Sequence, residues 1–189
     1  MTEKHSPLKF DSMPIGAAYS RPEQHFPAGL TLDSPALEAM TDLRRITALT
    51  VERSNTLAAT RERMKKLGVR MLLVTGATGA VMDLIPVTDL DSDRPTQIAA
   101  KIGERPEELL VQDIMTLRGR IEILRLQDVD TANVGQILNS LRKAGRRHAL
   151  VLDSAGAGGK PEICGIFSLT RLCGQVGLDI QPGAAMKDI

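Results

Sequence analysis

Aromatic side chains are scarce in this chain: its 189 residues include three Phe, one Tyr and no Trp. The core must therefore be aliphatic, and there are too few rings for stacking on single-stranded nucleic acid. A charge excess is missing too. The 24 Lys and Arg balance 23 Asp and Glu to a formal +1, with both signs mixed along the chain. Bulk charge thus gives no case for nucleic acid or an anionic membrane surface. No apolar run approaches the roughly 20 residues a bilayer span needs. Met1-Thr2-Glu3-Lys4-His5 opens without the apolar core of a signal peptide. Cysteine is limited to Cys164 and Cys173, without CxxC spacing or a neighbouring His cluster. The pair reads as buried free thiols in a reducing cytoplasm. His5, His25 and His148 are too scattered for a metal site. No H-E-x-x-H or nucleotide-fingerprint motif occurs, and no Ser or Cys stands out with a His and an acid, so no enzyme is expected.

What the chain does have is a duplication. Lys65-Lys66-Leu67-Gly68-Val69-Arg70-Met71-Leu72-Leu73-Val74 returns as Arg142-Lys143-Ala144-Gly145-Arg146-Arg147-His148-Ala149-Leu150-Val151, at an offset of 145 − 68 = 77. Each copy reads as a basic helix end, a glycine stop and an apolar strand, with Gly68 and Gly145 as the left-handed residues that end the helices. Met40-Thr41 repeats as Met115-Thr116, Ile46 as Ile121 and Thr56 as Thr131, at an offset of 75. One long period present twice means a duplicated unit rather than a solenoid.

In order, residues 1–34 form an N-terminal arm, extended or disordered, with Pro7, Pro14, Pro22 and Pro27 and no sustained periodicity. An arm that wraps a partner subunit is the functional alternative. Ser34-Pro35 starts a short helix over 36–40, and 46–51 is a strand candidate. Asn55 or Thr56 caps a helix with Leu57, Thr60, Met64 and Leu67 on one face. Strands follow at 71–74 and 81–87, the second carrying Pro86 near its end. Two short helices, one closed by Gly103 and one begun at Pro106, join the halves. The order then repeats: strand 121–126, a helix capped by Thr131 with Val134, Ile137, Leu138 and Leu141 inward, strands 147–152 and 163–168, and a helix to Gly177. Each half is β-α-β-β-α, about 60 residues and marginal alone. The expected divisions are 35–103, 104–178 and a C-terminal tail at 179–189. The helix after each closing strand is expected to be half apolar and uncovered in its own half. A homodimer through helices near 90–102 and 169–177 follows.

Three groups of residues carry a resemblance. They are Asp113-Ile114-Met115-Thr116 with its weaker partner Glu38-Ala39-Met40-Thr41, the helix-Gly-x-Arg-strand segments at Gly68 and Gly145, and Gly165-Ile166-Phe167-Ser168-Leu169-Thr170-Arg171-Leu172. Over about residues 35–177 the chain resembles a tandem pair of CBS domains, the cystathionine-β-synthase-type regulatory module. The resemblance implies an α+β fold of two β-α-β-β-α repeats packed as a pseudo-two-fold pair. It also implies an adenine nucleotide (AMP, ADP or ATP) held in the inter-domain cleft, dimerisation, and control of a separate effector protein.

Carried over residue by residue, the ligand-binding positions are Arg70, Asp89, Arg147, His148, Gly165, Ser168 and Arg171. Physics supports such positions. A hydroxyl and free N–H groups at a strand-to-helix turn favour negative charge. A carboxylate one turn later accepts both ribose hydroxyls, and an arginine at the head of the middle strand meets a phosphate. The two copies depart from the pattern in complementary ways. Asp89 keeps the carboxylate, but Pro86 stands in place of the hydroxyl. Ser168 keeps the hydroxyl, but Arg171 stands in place of the carboxylate, and arginine has only donors. A degenerate pair serving as a structural dimerisation or scaffold unit is therefore the alternative. Ala155-Gly156-Ala157-Gly158-Gly159-Lys160 lacks the Gly and Ser/Thr of a phosphate loop and reads as a hairpin loop.

Overall fold

The computed structural model describes residues 7–19, 29–115 and 122–178. They form two compact units, one drawn from 7–19, 29–47 and 122–178 and the other from 48–115.

In the second of these, β4 (Thr50–Glu52), β5 (Met71–Thr75) and β6 (Val81–Pro86) make a three-stranded sheet in that order, β4 parallel and β6 antiparallel to β5. Helices α2 (Leu57–Leu67), α3 (Val87–Asp91), α4 (Arg94–Ile102) and α5 (Val111–Ile114) complete the unit. Thr56 caps α2 by accepting the Ala59 N–H at 3.2 Å, and Gly68 ends it at φ 65°. Leu57, Met64, Leu72, Val74, Ile85 and Leu90 form an all-aliphatic core. Leu67, expected on the inward stripe, is 40% exposed, because the apolar face closes one turn earlier at Met64.

The larger unit holds a six-stranded sheet. β7 (Glu122–Arg125) and β8 (His148–Asp153) are parallel, and β9 (Glu162–Ser168) is antiparallel to β8. Helices α6 (Leu126–Asp130), α7 (Val134–Ala144) and α8 (Leu169–Gln175) belong to it, as does the short α1 (Ala36–Ala39). The expected α7 stripe is fully buried at Val134, Ile137, Leu138 and Leu141, packed with Leu124, Val151 and Phe167. Its cap is not Thr131. Asn133 accepts from the Gln136 N–H at 2.9 Å, and the Gln136 side chain returns a bond to the Asn133 N–H. Thr131 instead ends α6, a five-residue helix too short to show periodicity in the sequence.

The unit boundaries differ from the expected 35–103 and 104–178 halves, and backbone hydrogen bonds explain why. The Ala36 N–H donates to Ala132 O, and the Val134 N–H donates to Ser34 O, both at 2.9 Å. At the duplicated positions the Val111 N–H donates to Asn55 O at 2.9 Å, and the Leu57 N–H to Leu109 O at 2.8 Å. Each repeat's opening segment thus joins the helix start of the other repeat. A further strand, β3 (Thr41–Asp42), runs antiparallel along the edge of β9, pairing Thr41 with Ile166 and Asp42 with Gly165. The first repeat's opening motif therefore belongs to the unit built on the second repeat's sheet.

The N-terminal arm is extended where it is described. β1 (Asp11–Ser12) pairs antiparallel with β7, and β2 (Ala18–Tyr19) pairs parallel with β9. The arm is anchored by the Leu8 N–H bond to Ser140 Oγ at 2.6 Å, the Arg125–Asp11 ion pair at 2.5 Å, and the fully buried Ala17. Residues 20–28 of the expected arm, Thr116 of the D-I-M-T motif, Ile121 of the expected strand and the expected tail at 179–189 lie outside the described residues. The apolar side of α8 is covered within its own unit, where Leu169, Leu172 and Cys173 join the core. That removes the reason for expecting α8 to lack cover.

Candidate ligand-binding site

The expected site residues gather where a closing strand turns into a helix. In the larger unit β9 ends at Ser168, the N-cap of α8. Ser168 is the ladder partner of His148, and the Leu169 N–H donates to Arg147 O at 2.8 Å. In the smaller unit β6 ends at Pro86, the N-cap of α3, opposite Met71, and the Val87 N–H donates to Arg70 O at 2.7 Å. The same backbone bond thus fixes an arginine beside the strand-to-helix turn in both units. Arg147 corresponds to Arg70, His148 to Met71, Ser168 to Pro86 and Arg171 to Asp89.

The larger unit brings Arg147, His148 and Ser168 together at one end of its sheet, with Arg171 one helical turn beyond. Arg147 is exposed, whereas His148, Ser168 and Arg171 are partly buried. Ser168 makes no side-chain bond to cap its own helix. Arg171 donates from Nη1 to Thr41 Oγ1 at 3.3 Å, and partial burial pushes its pKa down through desolvation. A guanidinium in this setting offers donors to a phosphate but no acceptor to a ribose diol. Thr41 stands out in the sequence as half of the Met-Thr opening motif, but its bond to Arg171 does not, since the two residues lie 130 positions apart.

Gly165 does not sit with the others. It lies mid-strand on β9, where an added Cβ would stand 2.2 Å from Met40 Sδ. Its bareness serves the packing of the buried Met40. Asp89 is partly buried in the first turn of α3, and both it and Arg70 belong to the smaller unit.

Beside β9, the neighbour of Thr41 carries a charge into the interior. Asp42 accepts from Arg44 Nε at 2.9 Å and Nη2 at 3.0 Å, and from the Arg44 N–H at 3.0 Å. Burial alone raises its pKa, but these bonds and the charges of Arg44 and Arg45 outweigh that and leave it below 3.8. The Cys164 thiol is pushed up to about 12, mainly by burial, so it is not a thiolate nucleophile. Among the described residues no group of three or more His, Cys, Asp and Glu is placed to hold a metal, and no helix is long and apolar enough to cross a membrane.

Neither a protein-family model nor a curated protein sequence matches the chain. Solved structures do. A conserved protein of Pyrococcus horikoshii aligns at 19% identity over 82% of this chain and 100% of its own, with a TM-score of 0.54. A CBS-domain-containing protein of Agrobacterium tumefaciens aligns at 16% over 81% and 98%, with a TM-score of 0.53. A signal-transduction protein with CBS domains from Burkholderia ambifaria aligns at 20% over 72% and 88%, with a TM-score of 0.51. The chain therefore has the fold of a tandem CBS pair, an α+β protein with two small sheets. At these identities the likeness is one of fold.

Proposed function

We propose that this protein is a regulatory module that binds an adenine nucleotide (AMP, ADP or ATP) at its strand-to-helix turns and controls a separate effector protein. In this reading it is a cytoplasmic homodimer and not an enzyme. The observation that carries the reading is the bond from the Leu169 N–H to Arg147 O, repeated from Val87 to Arg70. It fixes an arginine beside the turn, where the phosphates of a nucleotide bring negative charge. In the larger unit Ser168 adds a hydroxyl, and His148 is its ladder partner. Arg171 replaces the expected ribose acceptor, so phosphate contacts dominate there, while Asp89 supplies a ribose acceptor in the smaller unit.

The scaffold reading is favoured by a specific pair of features: Arg171 is tied to Thr41, and Pro86 removes both a hydroxyl and an N–H. A thermal-shift screen with AMP, ADP, ATP, S-adenosylmethionine and NADH separates the two. A ligand that binds only the folded state at 100 times its Kd stabilises it by about 2.7 kcal/mol. A rise in melting temperature with an adenine nucleotide is expected. No rise with any of the five at millimolar concentration supports the scaffold.

For assembly, the exposed end of α4 at Ile102, 57% accessible, is the proposed dimer contact. Sedimentation of an Ile102→Asp variant is expected to give monomer where the parent gives dimer.

A further inference from the structure

A cavity lies at the other end of the larger sheet from the Arg147 turn. It is a cleft of about 380 Å³ beyond the carboxyl ends of the parallel strands β7 and β8, flanked by α1 and α6. That end of parallel strands is a common place for ligands, and the volume suits a small molecule. Leu37, Leu126 and Leu152 supply its apolar lining.

The polar lining carries both signs. Arg44 and Arg125 contribute guanidinium groups, and Asp130 and Asp153 contribute carboxylates. Arg44 uses Nε and Nη2 on Asp42, which leaves Nη1 outside that pair. Arg125 faces Asp11 through Nε, which leaves its two η nitrogens. Asp153 accepts the Ala155 N–H through Oδ1 at 2.9 Å, leaving Oδ2. Neither Asp130 nor Asp153 forms an ion pair with another described residue. The Asp42 hydrogen bond, above all, raises the Arg44 pKa against desolvation, and the nearby charge of Asp153 adds to the rise.

Ligands of a single sign fit this lining poorly. A nucleotide's phosphates would meet two carboxylates, and a simple amine would meet two guanidinium groups. A zwitterion with an apolar body satisfies all three kinds of surface. We propose that this cleft binds a free α-amino acid with an apolar side chain. Arg44 and Arg125 take its carboxylate, Asp130 and Asp153 take its ammonium, and the three leucines line its side chain. The site is independent of the nucleotide reading, and either can fail without the other.

Calorimetric titration of the full chain with L-leucine tests the proposal. The controls are 4-methylpentanoate, which lacks the amino group, and 3-methylbutylamine, which lacks the carboxylate. Leucine is expected to bind, and each truncated analogue at least tenfold more weakly, because each loses a charge-assisted contact. Asp153→Asn keeps an oxygen for the Ala155 N–H while removing the charge, and Arg125→Gln removes a guanidinium together with the exposed Arg125–Asp11 ion pair. Each is expected to weaken leucine at least tenfold, with an unchanged melting temperature in Asp153→Asn and a small fall in Arg125→Gln. No heat from leucine, isoleucine, valine or methionine at about 10 mM would overturn the proposal. So would equal binding of either truncated analogue, or unchanged affinity in both variants.

Discussion

Arg171 donates a hydrogen bond from Nη1 to Thr41 Oγ1 at 3.3 Å, linking the first turn of α8 to a strand 130 residues earlier. The guanidinium stands at the position where the sequence resemblance implies a ribose-binding carboxylate. Replacing it supplies the missing acceptor. Arg171→Asp is expected to tighten the binding of adenosine, which has the ribose diol but no phosphate to lose, at least tenfold, since a bond between a ribose hydroxyl and a carboxylate is worth about 1.5–3 kcal/mol. Titration of both proteins with adenosine checks this. Equal or weaker binding by the variant would mean that the guanidinium is not what limits the site.

Gly165 and Gly174 make opposite predictions from one substitution. A Cβ at Gly165 would fall 2.2 Å from Sδ and 2.8 Å from Cγ of Met40, which is 1% exposed. Gly165→Ala is expected to destabilise the fold by about 1–3 kcal/mol through overpacking. Gly174 lies within α8 with nothing within 4 Å of an added Cβ. Gly174→Ala is expected to stabilise by about 0.5–1 kcal/mol. Urea unfolding midpoints read both.

Asp42 sets an acid limb to stability. Burial raises its pKa, but the Arg44 hydrogen bonds and the charges of Arg44 and Arg45 leave it below the ordinary 3.8. The native state therefore holds this proton less readily than the unfolded chain. The contribution is fully present above about pH 4 and disappears as pH falls through the depressed native value. Asp42→Asn is expected to be less stable than the parent at neutral pH and to lose less on acidification. Urea midpoints at about pH 7 and pH 3 test it, and parallel pH profiles would contradict it.

The arm holds both edges of the larger sheet, with β1 on β7 and β2 on β9. Removing residues 1–19 strips those pairings, the buried Ala17 and the packing of Leu8 and Phe10. The core clusters of both units lie outside residues 1–19 except for those partial contacts, so cooperative unfolding is expected to persist. Stability is expected to fall by roughly 2–4 kcal/mol, given about 1.5–3 kcal/mol per fully buried apolar side chain and 0.5–1.5 per hydrogen bond. An unchanged midpoint would mean that the arm pairs only weakly. Loss of a transition would make it part of the folding core.

Local signals in the sequence proved reliable where the structure is locally determined. Gly68 and Gly145 end their helices at φ 65° and 64°, because a helix stop and a left-handed residue are neighbours in the chain. The inward face of α7, and that of α2 up to Met64, were legible from periodicity for the same reason, while Leu67 at the end of α2 was not. The unit boundaries were not. They depend on Ala36 bonding Ala132 and Val111 bonding Asn55, exchanges between distant segments that no local pattern records. The α6 helix is not legible because five residues carry no period, and Thr131 at its end has the sequence signature of a cap on the next helix. Of the candidate site, the sequence showed which residue types stand at each turn. It did not show that Gly165 is occupied by packing or that Arg171 is tied to Thr41.

The most direct test of nucleotide binding at the Arg147 turn is calorimetric titration of AMP and ATP into the parent and into Arg147→Ala. Arg147 is exposed, and its carbonyl bond to the Leu169 N–H survives side-chain removal, so the unliganded melting temperature is expected to change little. Loss of a charge-assisted phosphate bond costs about 1.5–3 kcal/mol, so the variant should bind at least tenfold more weakly. Unchanged affinity in Arg147→Ala would place the phosphates elsewhere, and no binding by the parent at millimolar nucleotide would contradict the regulatory reading in favour of the scaffold.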